Sequence, residues 1–105
     1  MKRFALRYEI DAQSDLERVV DYGIEQEHTD PASYVRALGE RIAMLREQPK
    51  AGREGRMNDT REMVIAGTPY IAIYRLDDNN GITVLRVLHG AQQWPPTSED
   101  MQSSS

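Results

Sequence analysis

The C-terminal half of the chain constrains the fold most. Three β-like runs, 61–66 (REMVIA), 69–77 (PYIAIYRLD) and 82–89 (ITVLRVLH), follow one another with very little between them. Gly67-Thr68 separates the first pair. Asp78-Asn79-Asn80-Gly81 separates the second, and its Asn-Gly ending favours the backbone angles of a tight hairpin. Two hairpins in succession make a meander.

The first half reads differently. Residues 3–10 alternate, with Phe4, Leu6, Tyr8 and Ile10 on one face and Ala5, Arg7 and Glu9 on the other, which predicts a half-buried strand. Asp11 and Ser14 offer caps for a helix of about 12–28, in which Leu16, Val19, Val20 and Ile24 keep helical spacing. Thr29-Asp30-Pro31 supplies a cap candidate and a proline at the first helical position. Tyr34, Val35, Leu38, Ile42 and Leu45 then form a second apolar stripe that should end before Pro49. Residues 49–60 (PKAGREGRMNDT) read as a loop, and 96–105, after Pro95, as a flexible tail behind a single 1–95 domain. The order strand, helix, helix and three strands predicts an α+β fold, with a two-helix hairpin packed on one face of a small, mainly antiparallel sheet. The other face is left for function.

Composition narrows the chemistry. A chain of 105 residues with 39 % hydrophobic and 29 % charged residues has room for one core. It has no Cys and two isolated His, so neither a disulfide framework nor a structural zinc site is expected, and no cofactor is implied. No apolar stretch approaches the roughly 20 residues that span a bilayer, and the expected location is cytoplasmic. Thirteen basic against 17 acidic residues give a net charge of −4. The basic groups cluster, however: residues 36–61 carry 7 basic and 4 acidic side chains. Direct nucleic-acid binding would have to rest on the patch around Arg46, Lys50, Arg53, Arg56 and Arg61.

With these elements placed, an ordered set of short motifs resembles the RelE/ParE superfamily of bacterial type II toxin–antitoxin toxins. The set comprises Ala12 and Asp15-Leu16, Tyr22, Leu45, Pro49 with Gly52-Arg53, Thr60-Arg61-Glu62-Met63, Pro69-Tyr70-Ile71, Tyr74-Arg75 and Leu85-Arg86-Val87-Leu88-His89-Gly90. The resemblance covers about 4–95. It implies a small toxin neutralised by a cognate antitoxin of ParD or RelB type in a hetero-oligomer, with the antitoxin folding on the toxin surface. Nucleic acid would then be met only through the toxin–antitoxin complex.

The superfamily has two mechanisms. Members similar to RelE and YoeB cut messenger RNA in the ribosomal A site with Lys, Arg, Glu, His or Tyr groups. RelE-like members carry a Lys-x-Lys pair on the strand before the first hairpin, and an Arg follows at the start of the next strand. Those positions are Glu62, Val64 and Ile71 here, so all three cations are absent. What remains resembles ParE, whose members poison DNA gyrase. The expectation is therefore a gyrase-inhibiting toxin without chemistry of its own, and the alternative is a ribosome-dependent endoribonuclease using Arg61, Arg86 and His89. A third possibility is a purely regulatory partner of the antitoxin.

For target or antitoxin binding, the candidates are Arg53, Arg56, Arg61, Arg75, Arg86 and Trp94. Arginine forks suit carboxylates and phosphates; alternatively Arg53, Arg56 and Arg61 pair locally with Glu54, Asp59 and Glu62. On strict alternation Arg86 shares a face with Val84 and Leu88, and His89 lies opposite. Trp94, the single Trp, is an anchor candidate because the resemblance places target-binding weight on the C-terminal part. The carboxylates of the first helix, Asp15, Glu17, Asp21 and Glu25, read as a solvated face. His28 complements a helix end.

Overall fold

Alternation in the first strand lasts only as far as the chain stays extended. In the computed structural model, which describes residues 4–25 and 30–90 (side chains for 4–21 and 30–90), β1 is Ala5–Tyr8. Helix α1, Ile10–Glu25, follows at once, with Gln13 N donating to Glu9 O at 3.0 Å and the Gln13 side chain donating to Tyr8 O. The helix thus starts two residues before the expected position. Ile10, expected on the core face of the strand, lies exposed on the first helical turn instead. The expected helix end at 28 and its His28 lie outside the described residues.

Helix α2 is Pro31–Ala43, and the expected cap is present at Asp30. Asp30 accepts from Ser33 N at 3.1 Å and from Ser33 Oγ at 2.6 Å, and these bonds hold its carboxyl below the usual range. A single 3-10 turn, Met44–Arg46, carries Leu45 into the core before Pro49.

Strands β3 (Arg61–Val64), β4 (Tyr70–Asp77) and β5 (Gly81–His89) form the expected meander. The β3–β4 turn is closed by Ile65 N to Tyr70 O and needs Gly67 at φ 79°; the β4–β5 turn sets Asn80 at φ 57°. Part of the expected 49–60 loop, Arg53–Glu54, is a fifth strand, β2, paired with β3. Two residues are too few to show a period in the sequence. The five-stranded sheet runs β1-β5-β4-β3-β2, parallel between β1 and β5 and antiparallel elsewhere.

Both helices cover one face of this α+β sheet. Ala12 and Val19 of α1 and Leu38 and Ile42 of α2 pack on Tyr70, Ala72 and Tyr74 of β4 and on Ile82, Val84 and Val87 of β5. Tyr74 is fully buried, and its hydroxyl donates to Pro49 O at 2.8 Å and accepts from Gly52 N at 2.9 Å. The polar tip therefore stitches the 49–52 segment to the sheet while the ring fills the core. Only glycine fits at 52, since a Cβ there would lie 2.8 Å from the Tyr74 ring and hydroxyl.

The register slips once. Ile73 faces Arg86 but Tyr74 faces Val84, so Leu85 is an extra residue in β5. Val84 and Val87 therefore both reach the helix-covered core. Arg86 pairs with Ile73 on the far face, which corrects the strict alternation that had put Arg86 beside Val84.

Candidate functional site

The sheet face away from the helices is organised in rows by register. Val64, Ile71 and Leu88 form an apolar row across β3, β4 and β5; Glu62, Ile73 and Arg86 form the next. Beyond the bulge, Arg75 of β4, Thr83 of β5 and Arg7 of β1 form a third, with Asp77 beside them. Glu62, Val64 and Ile71, the three positions that the resemblance singles out in the sequence, all lie on this face.

None of them is positive, and one is a buried anion. Glu62 is 6 % exposed and accepts from Arg56 N at 3.0 Å, with Arg53 Nη2 at 3.4 Å from its other oxygen. Its carboxylate thereby anchors the 55–60 turn, which is further closed by Gly55 N to Thr60 O and Thr60 Oγ1 to Met57 O. Val64 is 65 % exposed and apolar.

A second buried carboxylate sits at the other end of the row. Asp15 of α1, 4 % exposed, accepts from Arg86 Nε at 2.7 Å, Arg86 Nη2 at 2.9 Å and Val87 N at 2.9 Å, and from the exposed Arg18 at 3.2 Å. Hydrogen bonding to Asp15 holds the Arg86 guanidinium above its usual pKa, against the opposing effect of burial. The sequence places Asp15 on a solvated face, but the structure buries it. It is instead the acceptor for a β5 amide that no strand pairs, because β1 ends opposite Val84.

The third row is a relay of hydrogen bonds. Arg7 Nε donates to Thr83 Oγ1 at 3.0 Å, Thr83 Oγ1 donates to Asp77 Oδ2 at 2.7 Å, and Arg75 Nε donates to Asp77 Oδ1 at 3.0 Å. The Asp77 carboxyl is lowered below its usual pKa, chiefly by the Thr83 hydroxyl and then by Arg75. Thr83 is fully buried, and a hydroxyl amid an otherwise apolar run, ITVL, was the available signal for this network.

The sequence candidates separate in space. Arg75 and Arg86 line one concavity of about 410 Å³ on the far face, rimmed by Ile10, Met57 and Leu85. Arg53 and Arg56 flank Glu62. Arg61 is registered with Tyr74 on the helix side, and its guanidinium is taken up by Gly52 O at 2.9 Å and Lys50 O at 3.3 Å rather than by the acids expected. His89 is registered with Tyr70 on the helix side, the two rings edge to face at 5.7 Å. Arg61, Arg86 and His89 are thus not brought together on one face. Trp94 lies outside the described residues. Among the described residues no group of three or more His, Asp or Glu side chains is placed to hold a metal ion, and no helix is long and apolar enough to cross a membrane.

Two helices packed on one face of a mixed five-stranded sheet match the RelE/ParE toxin fold. Residues 6–94 match the family described as the ParE toxin of the type II toxin-antitoxin system parDE, and the chain belongs to that family. Y4kP of Sinorhizobium fredii is 38 % identical over 96 residues, which is 90 % of this chain and 97 % of that protein. Among solved structures, the chromosomal ParDE system of P. aeruginosa superposes with a TM-score of 0.73 at 21 % identity, covering 83 % of this chain and 96 % of its own. The RelBE2 toxin–antitoxin complex of Mycobacterium tuberculosis gives 0.64 at 26 % identity, covering 88 % and 97 %. The isolated E. coli RelE toxin gives 0.60 at 15 % identity and shows the shared fold.

Proposed function

We propose that this type II toxin arrests bacterial growth by binding and poisoning DNA gyrase in the cytoplasm, and that a cognate antitoxin of ParD or RelB type neutralises it in a hetero-oligomer. The observation that carries the reading is the far face at positions 62, 64 and 71. Cleavage through a ribose 2′-hydroxyl needs donors for the phosphate charge and a pair of proton-transfer groups. Here the first position is a buried carboxylate already committed to Arg53 and the Arg56 amide, and the other two are Val64 and Ile71. A net charge of −4 also opposes approach to ribosomal RNA. The face keeps discrete arginines among carboxylates, a pattern suited to a protein partner. Family membership in ParE and the superposition on a ParDE system support the same reading.

The test is gyrase supercoiling and cleavage with the purified chain, with and without antitoxin, beside in vitro translation. Linearised DNA and lost supercoiling, both reversed by antitoxin, are expected. Untouched gyrase with blocked translation and A-site cuts would overturn the reading in favour of the endoribonuclease.

A further inference from the structure

The relay on the third row leaves two arginines half used. Arg7 is exposed, and its Nε is pinned by the fully buried Thr83 hydroxyl. Arg75 is likewise held through Nε, by Asp77, with its side chain 39 % exposed. Among the described residues the terminal nitrogens of both guanidinium groups make no hydrogen bond, and Arg7 forms no ion pair. A guanidinium fixed through Nε presents its outer edge in a set direction, the geometry for bidentate capture of a planar anion. Arg7 and Arg75 are both registered with Thr83, on β1 and β4 with β5 between them, so their backbones stand about 10 Å apart, twice the strand spacing.

We propose that Arg7 and Arg75 form a two-point clamp for carboxylates on an acidic segment of the toxin's protein target. The proposal rests on the binding-toxin reading above and extends it to Arg7. The target is favoured over the antitoxin because the clamp shares its face with Glu62, Val64 and Ile71, the positions on which the binding-toxin reading above rests. Carboxylates are favoured over phosphates because Asp77, Asp78 and Glu9 stand around the clamp. They oppose a dense run of negative charge such as a phosphate backbone, so the segment is one that brings one carboxylate to each guanidinium edge. Thr83 is a positioning residue, since its hydroxyl ties Arg7 to Asp77 and so to Arg75.

The full chain is expressed from a titratable promoter, alone and with its antitoxin, as wild type and as Arg7→Ala, Arg7→Lys, Arg75→Ala and Thr83→Val. Arg7→Ala and Arg75→Ala should each raise the dose for half-maximal growth arrest at least about tenfold, the loss of one charge-assisted bidentate contact. Arg7→Lys keeps the charge but loses the fork, and should be nearly as weak; it also serves if the alanine variant folds poorly. Thr83→Val should fall between. Antitoxin affinity of the purified variants should stay within about threefold of wild type, well below the loss expected of a hot spot. Arrest undiminished in Arg7→Ala and Arg75→Ala overturns the clamp. So does a parallel loss of antitoxin affinity, which would assign the face to the antitoxin. Binding of a DNA or RNA duplex that Arg7→Ala abolishes would make phosphate the ligand and overturn the carboxylate assignment. A wild type that arrests growth without poisoning gyrase and without A-site cuts, with arrest relieved by Arg7→Ala, sinks the gyrase reading and keeps the clamp, whereas A-site cuts sink both. A wild type without any growth effect sinks both.

Discussion

Asp15 and Arg86, 71 residues apart in the chain, meet through two hydrogen bonds of 2.7 and 2.9 Å at the place where β1 stops covering β5. The same carboxylate takes the Val87 amide, so one side chain of α1 satisfies both the guanidinium and the sheet edge. The β-bulge is what makes this possible. By adding Leu85 it turns Arg86 away from the core face and aims the next amide at the helix. Helix position, bulge and arginine orientation are therefore one unit.

Removing one member of that unit should be costly. Asp15→Ala leaves a half-buried arginine and an unpaired amide, and we expect a loss of about 2 kcal/mol in urea unfolding. Asp15→Asn keeps an acceptor for Val87 N and should lose less. Arg86→Ala leaves the buried Asp15 with only the Val87 amide and the exposed Arg18, and should cost less than Asp15→Ala. The double variant should fall well short of additivity; additive losses would show that the pair is not coupled.

The contact between Gly52 and Tyr74 makes a second expectation. Gly52→Ala drives a Cβ to within 2.8 Å of a fully buried ring and within 2.9 Å of Glu62 O, so neither neighbour can yield cheaply. A loss of about 2 kcal/mol is expected, in the range of overpacked cores. Tyr74→Phe removes the bonds to Pro49 O and Gly52 N and should cost about 1 kcal/mol, with faster hydrogen exchange at Gly52. An unchanged unfolding midpoint for Gly52→Ala would mean that the 49–52 segment is not held to β4.

The meander, both helical stripes and the Asp30 cap are legible in the sequence because each is a local pattern: a period, a turn dipeptide, a capping residue before proline. The far-face site is less so. Arg75 and Arg86 are visible as charges in β-like runs, yet the bulge that orients Arg86 leaves no mark in ITVLRVLH, where apolar residues flank the arginine on both sides. Asp15 looks like its neighbours Glu17 and Asp21. What distinguishes it is an unpaired amide on β5, which only the end of β1 reveals. Glu62 is similar: its burial follows from the 55–60 turn folding onto it, a contact between segments that share no period.

Acid and alkali should act at different places. The folded-state pKa of Asp77 lies below 3.8, so its ionised form adds stability that is present above pH 3.8 and is lost as pH falls through the lowered value. Asp77→Asn should therefore unfold more easily than wild type at neutral pH and converge with it in strong acid. Tyr8 behaves oppositely. Burial, partly offset by Arg46, raises its pKa above 10.0, so the stability it contributes is full below pH 10 and lost as pH rises through the raised value. Tyr8→Phe should flatten the alkaline limb of the stability curve and leave the acid limb alone. Thermal unfolding from pH 2 to 11 reads both. An acid limb identical in Asp77→Asn and wild type would remove Asp77 from the account.

His89 separates the two mechanisms most directly. Its ring packs edge to face on Tyr70 at the exposed end of β5, with Arg86 on the opposite side of the strand. Proton transfer at a phosphate held by Arg86 would need both groups on one side within hydrogen-bond reach of the reacting atoms. His89→Ala should therefore leave growth arrest unchanged and cost no more than about 1 kcal/mol through the lost ring contact. Arg75→Ala, in the same strain and at the same inducer dose, should relieve arrest. The opposite pattern, arrest abolished by His89→Ala in a protein that still folds and binds antitoxin, would point to acid–base chemistry at the end of β5 and away from a binding toxin.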